Sequence, residues 1–192
     1  MIAIIGLGNP EKKYKGTRHN LGKEAIDFLY KRWKKKYSFS NFEKEEFFQI
    51  SKGKIENENI YLVKNLTFMN ESGKAVKDVL KKLKIEPENI LILHDDLDIN
   101  LGKIKIVKNK GSAGHKGVDS IIKTLKTKNF LRIRIGIKPK KEDYKKDVEN
   151  FVLKKFTKKE KEIIKRAVRK VLKALELIIK GELNKAMSFF NK

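Results

Sequence analysis

The sequence predicts an α/β fold in a single domain, with helices layered on one mixed sheet. Three observations predict it. Short apolar runs of strand length alternate with longer segments in which apolar residues recur at helical spacing. No internal repeat, low-complexity linker or break in composition divides the 192 residues. A chain of this length buries roughly 70% of the surface it exposes when unfolded, enough for one sizeable core. With 40% hydrophobic residues it can fill that core despite being 37% charged.

Taken in order, residues 2–7 form an apolar run ended by glycine, consistent with a buried strand. Residues 21–36 read as a helix, because Ala25, Ile26, Leu29, Tyr30 and Trp33 share one face. Residues 47–51 and 59–64 read as a strand pair around a polar turn. A second helix spans 72–84, with Ala75, Val76, Val79, Leu80 and Leu83 inward, and Pro87 separates it from a buried strand at 90–94. Residues 102–107 alternate lysine with apolar residues, which suggests a strand with one basic, wet face. Helix 116–126 turns Val118, Ile121, Ile122 and Leu125 inward, and 131–137 alternate Leu or Ile with Arg as a half-buried strand. Thr157 caps a long amphipathic helix that runs to about residue 180. Its stripe is Ile163, Ile164, Ala167, Val168, Val171, Leu172, Leu175, Ile178 and Ile179, while Lys161, Lys165, Arg166, Arg169, Lys170 and Lys173 cover the other side. Gly181 ends it, and a short final helix carries Ala186, Met187, Phe189 and Phe190. The irregular stretch 138–148 is the expected mobile surface loop.

Charge narrows the function. Lys+Arg number 47 against 24 Asp+Glu, a net +23. Such an excess suits a polyanionic partner, because neutralised phosphates release counterions. The plainer alternative is a lysine-rich composition with solvated lysines on every face; contact with the ribosome or a membrane surface is a third. There is no cysteine, which excludes disulfides and thiolate metal sites and makes the reducing cytoplasm the expected location. The apolar run after Met1 is too short for a secretory signal, and no later run approaches the ~20 residues needed to cross a bilayer.

Four polar sets follow strands or open helices, where an α/β sheet gathers its crevice. The first, "IIGLGNPEKKYKGTRHNLG", opens like a dinucleotide-binding turn but has Asn9-Pro10 where a third glycine and a helix are needed. Its long loop instead ends in His19, in the company of Asn9, Arg18 and Asn20. The second, "NLTFMNESG", carries Asn70, either a helix cap or a site group. The third, "LHDDLDINLG", brings His94, Asp95, Asp96 and Asp98 together, as turn residues or as functional carboxylates; the spacing is wrong for a calcium loop. The fourth, "KGSAGHKG", is a glycine-rich turn able to offer backbone N–H groups to a phosphate or carbonyl. A histidine, a carboxylate and carboxamides suit hydrolysis by an activated water, with no nucleophile elbow present.

The segments "GLGNPEKKYKGTRHNLG", "LTFMNESGKAV", "HDDLDINLGKIKI", "KGSAGHKG", "FLRIRIGIKP", "FVLKKF" and "AMSFFN" resemble, in order, the blocks of bacterial-type peptidyl-tRNA hydrolase. The resemblance covers nearly the whole chain. It implies a monomeric cytoplasmic enzyme, a three-layer α/β/α sandwich around a mixed, mostly parallel sheet, and cleavage of the ester between a peptide and the 3′ end of tRNA without metal or cofactor. Peptidyl-tRNA would be the partner, with no membrane contact. By the same resemblance His19 would be the base and Asp95 would orient it. Asn9 and Asn70 would hold the carbonyl and ester, and Tyr14 would stand at the tRNA-terminus end. Met69 and His115 would line the substrate site. Lys116 stands where the family has a carboxamide. Arg134, with Lys105 or Lys108, would grip the 5′-phosphate of tRNA, and the basic face of the long helix would lie along the acceptor stem. An RNA-binding module without catalysis and a nucleotide-dependent reductase are the competing readings.

Overall fold

The computed structural model describes residues 1–139 and 146–192; residues 140–145, inside the stretch expected to be a mobile loop, lie outside the described residues. The strands are β1 (Ile2–Gly6), β2 (Glu43–Lys44), β3 (Phe48–Ile55), β4 (Glu58–Asn65), β5 (Ile90–Asn100), β6 (Ile104–Lys108) and β7 (Leu131–Lys138). The helices are α1 (Leu21–Trp33), α2 (Ser72–Leu83), α3 (Lys116–Leu125), α4 (Val148–Leu153), α5 (Lys158–Ile179) and α6 (Leu183–Phe190). All seven strands join one sheet in the order β2-β3-β4-β1-β5-β7-β6. Parallel pairing occupies the four central strands β4, β1, β5 and β7. The outer pairings β2–β3, β3–β4 and β6–β7 are antiparallel.

The strand alternation divides the interior into two cores. Ile4 of β1 and Leu91 and Leu93 of β5 pack with α1, α5 and α6, while Ala3, Ile5, Ile90 and Ile92 pack with α2 and α3 on the other face. These are the three layers. Helix α5 shows how sequence makes an element here. Its N-terminus is closed by a capping box, in which Thr157 Oγ1 accepts from Glu160 N and Glu160 accepts from Thr157 N. Ile164, Ala167, Val168, Val171 and Leu175 are buried, and the six basic residues of the opposite face are exposed. The open side of edge strand β6 is closed by a side chain: Asn191 accepts from Ile106 N at 2.7 Å and donates to Ile106 O at 2.9 Å, as a neighbouring strand would.

Three expectations change. The strand expected at 90–94 continues to Asn100, because β5 goes on pairing with β7 through a register shift; Asp95 and Asp96 therefore project from a strand rather than a turn. Strand β7 is not half-buried. Strands flank it on both sides, its Leu and Ile residues face the core under α5, and on the other face Arg132, 1% exposed, is closed in by His94 and the carbonyls of Lys110 and Gly111. Residues 148–153 form the helix α4, started by the Asp147 side chain accepting from Asn150 N.

The crossing of α1 over the strand ends positions the site. Gly22 lies so close to β5 that an added Cβ would stand 2.1 Å from the carbonyl oxygen of Leu93. Gly22→Ala should therefore destabilise the fold by ~3 kcal/mol or more, read as a lowered midpoint in urea at unchanged slope; an unaltered midpoint would contradict this packing.

Candidate active site

The C-terminal ends of β1, β4 and β5 and the N-terminus of α3 meet around one cavity of about 680 Å³, whose lining includes Asn9, Tyr14, His19, Met69, Asn70 and Asp95. His115 and Lys116 line it too, so eight of the eleven expected site residues come together here. The other three, Lys105, Lys108 and Arg134, stand apart on the β6–β7 ribbon.

Asp95 is the centre. Its carboxylate is 2% exposed. Both oxygens face His19 Nδ1, at 3.1 and 3.0 Å, and Oδ1 also faces His115 Nε2 at 3.1 Å. The surrounding bonds decide the tautomers. His115 caps α3, its Nδ1 accepting from Val118 N at 3.2 Å, so its proton is on Nε2 and is donated to Asp95. His19 likewise donates Nδ1–H to the carboxylate, which leaves its Nε2 lone pair as a base in the cavity. His94 has 2.7 Å between Nδ1 and the Asp95 carbonyl and accepts at Nε2 from Arg132 at 3.3 Å. All three histidines of the chain thus form one cluster, with ring centroids 4.8 Å apart for His19–His115 and 4.6 Å for His94–His115.

The charges follow from these contacts. Burial opposes ionisation of Asp95, but the positive potential and N–H bonds of His19 and His115 outweigh it and hold the carboxyl below its usual range. Burial lowers the His19 pKa, Asp95 raises it by more through charge and hydrogen bond, and Lys116 opposes in part; the net shift is upward. His94 is fully buried, and burial, then His115 and Arg132, keep it neutral. Arg132 itself, pushed down to about 10 mainly by burial, stays cationic at neutral pH and donates to the carbonyls of Lys110 and Gly111 at 3.0 and 2.7 Å.

His19, Asp95 and His115 also have donor atoms within 4.8 Å of one another, as a metal site would. The cap on His115 conflicts with that use. A metal at Nε2 would need the ring proton moved to Nδ1, where Val118 N–H already donates.

The asparagines are held as rigidly. Asn9 N donates to Asn20 Oδ1 at 2.8 Å, Asn20 Nδ2 donates back to Asn9 O at 3.1 Å, and Asn9 Oδ1 accepts from Met69 N at 2.9 Å. The Asn9 Nδ2 protons are left without a partner among the described residues, on the cavity side. Asn65 ties the same two loops, donating to Gly8 O and Thr67 O. Asn70 is exposed at the rim, in a 3₁₀ turn just before α2, and caps nothing. Met69 is buried against Gly117, where a Cβ would lie 2.5 Å from its sulfur. Lys116 is exposed and pairs with Glu149 of α4 across the cavity mouth. On the ribbon, Lys105 stands opposite Arg134 in register and Lys108 opposite Leu131. Arg134 Nε donates to Asp96 at 2.5 Å, and a second nitrogen lies 3.6 Å from Asp98.

Sequence reasoning missed Asn65 and Arg132 as working parts, as well as the α4 wall with Val148, Val152 and Leu153, and it singled out Asn20 and His94 without giving either a role. Asn65 sat in a segment already singled out, and a polar residue at the end of an apolar run was the available signal.

The same frame recurs in known proteins. The family model described as peptidyl-tRNA hydrolase matches residues 3–192. A peptidyl-tRNA hydrolase of Thermodesulfovibrio yellowstonii is 44% identical over 194 residues, covering 100% of both chains. One of Aquifex aeolicus is 39% identical over 190 residues, covering 98% of this chain and 95% of that one. Among solved structures, the peptidyl-tRNA hydrolase of Acinetobacter baumannii superposes with a TM-score of 0.87 at 33% identity, covering 100% of this chain and 94% of that one.

Because Asp95 supplies the charge that outweighs burial, Asp95→Asn should drop the His19 pKa below its ordinary 6.5, read by NMR titration of the imidazole. A His19 pKa still above 6.5 in that variant would remove Asp95 as the cause. The raised His19 pKa contributes stability that is complete below 6.5 and is lost as pH rises through the folded value.

Proposed function

This chain belongs to the peptidyl-tRNA hydrolase family and hydrolyses peptidyl-tRNA, and we propose that it does so with His19 as general base on a water molecule. The observation that carries this is the pairing of His19 Nδ1 with both oxygens of buried Asp95, which points Nε2 into the cavity. Water bound between that nitrogen and the ester carbonyl loses a proton to His19 as it attacks. Asp95 stabilises the imidazolium that forms, and the ring returns the proton to the departing ribose oxygen. The free Nδ2 of Asn9 donates to the carbonyl as charge builds on its oxygen, and Asn70 at the rim holds the neighbouring peptide or ester group. Lys116 replaces a carboxamide with a cation, so it donates but does not accept. Tyr14, Met69 and His115 shape the walls. General-base assistance is worth about 10²–10⁴-fold, with positioning and carbonyl stabilisation adding to it.

Binding of tRNA is assigned to the basic exterior. Lys105 faces Arg134 across the β6–β7 pair, which favours it over Lys108 as the second residue of a phosphate-binding pair. Asp96 and Asp98 preorient the Arg134 guanidinium while drawing on part of its charge. The exposed basic face of α5 offers a platform for the acceptor stem. Among the described residues no helix is long and apolar enough to cross a membrane. The chain is read as a single-domain monomer of the cytoplasm that recycles tRNA from prematurely released peptidyl-tRNA.

His19→Ala should lower the rate of peptide release by at least about 10²-fold while leaving tRNA affinity within about twofold; equal loss of both would make the histidine structural. Affinity for tRNA should fall tenfold or more between about 50 and 200 mM salt, measured by filter binding with the His19→Ala variant. A flat response would remove the basic surface as the platform.

A further inference from the structure

The residue before the base does something that the mechanism above leaves unused. Arg18 is 6% exposed. One terminal nitrogen donates to the carbonyls of Lys154 and Lys155, both at 3.1 Å, and the other to Glu160 at 2.7 Å. Its guanidinium carbon lies 4.3 Å from the centre of the Phe151 ring and 5.1 Å from that of Phe156. The backbone adds to the same junction. Arg18 N donates to Lys154 O, Phe156 N donates to Gly16 O, and Thr17 and Lys155 form an isolated bridge. Glu160 is meanwhile committed to the cap of α5.

Every side-chain partner of Arg18 named above lies between the last turn of α4 and the first turn of α5, and α4 is a wall of the catalytic cavity through Val148, Glu149, Val152 and Leu153. A six-residue helix has too few internal bonds to hold itself in place. Its seat is the guanidinium of the residue joined by a peptide bond to His19. We propose that Arg18 is a positioning residue that fixes the α4 wall relative to His19, so that substrate-binding wall and base move as one body. The inference rests on His19 being the base. A lysine would keep the charge but lacks the planar fork that reaches two carbonyls and a carboxylate at once.

The test compares Arg18→Met, Arg18→Lys and Glu160→Gln in the full chain. The glutamine keeps the helix cap through its one carbonyl oxygen and turns an NH2 towards Arg18, so it removes both the charge and the acceptor that Arg18 meets. Amide exchange of residues 151–156 in the free enzyme should accelerate about tenfold or more in Arg18→Met, with the amides of β1 and β5 unchanged. KM for an N-acetylaminoacyl-tRNA should rise about tenfold with a smaller change in kcat. The acid limb of kcat/KM should stay in place, because Asp95 still holds His19. Arg18→Lys should not restore KM, and Glu160→Gln should move exchange and KM in the same direction by about threefold. Wild-type exchange at 151–156, acceleration spread evenly over all amides, or full recovery in Arg18→Lys would each overturn the proposal. Failure of the base assignment would show separately, as hydrolysis surviving His19→Ala while the exchange effect of Arg18→Met persists.

Discussion

A carboxylate taken out of water costs several kcal/mol unless its oxygens are bonded and its charge is met. Asp95 is that carboxylate, and its surroundings answer the cost. Strand β5 carries it past the point where its apolar run ends. A 3₁₀ turn at Arg18–Asn20 delivers one imidazole N–H, and the capped start of α3 delivers another. Neither histidine is replaceable by a residue that packs equally well, because each fills one side of a charge that cannot be left bare. The arrangement is also asymmetric in a useful way. His115 has both nitrogens committed, one to Asp95 and one to Val118, whereas His19 has only one. A cluster of three histidines therefore contains a single nitrogen that is basic, uncommitted and open to the cavity.

The rest of the polar interior keeps that asymmetry in place. Arg132 holds the glycine-rich turn by two carbonyls and keeps His94 an acceptor at Nε2. Asn20 and Asn65 pin the loops after β1 and β4, so that the free end of the Asn9 carboxamide has one direction left. These are neutral or singly charged groups, each with partners, in a protein of net charge +23. The excess charge lies mostly outside, spread over many elements and including the open face of α5, where water screens it and where a polyanion can reach it. The residues proposed for nucleic-acid affinity and those proposed for chemistry on the ester are thus separate sets, mostly long flexible basic side chains for one and immobilised short side chains for the other.

How much of this was legible follows the range of the forces involved. The stripe of α5, the Thr157 cap, the alternating apolar positions of β1 and the strand-like run at Ile90 are local patterns, and the structure has them where periodicity put them. The lysine and arginine alternation of β6 and β7 misled for β7, because alternation means one wet face only when nothing folds over that face, and here the turn at Lys110–Gly111 and His94 cover Arg132. Helix α4 went unseen, since six residues between an acidic cap and a lysine pair carry little periodic signal. Lys116 was visible as a departure from the family's carboxamide, but its pairing with Glu149 depends on a helix that no local pattern announced.

The sequence by itself determined the layered α/β architecture and the charge of the chain, because side-chain chemistry and backbone periodicity are properties of the chain read locally, and it was the resemblance to a known family that picked out His19, Asp95 and Asn9 for hydrolytic work. Only the tertiary structure decided which nitrogen of each histidine carries its proton, that Arg132 is interior and that α4 is seated on Arg18. Apart from the Val118 cap on His115, those depend largely on partners 20 to 142 positions away along the chain, and a proton or a buried cation takes its state from whichever atoms end up within 3 Å or so of it, which the order of residues does not contain.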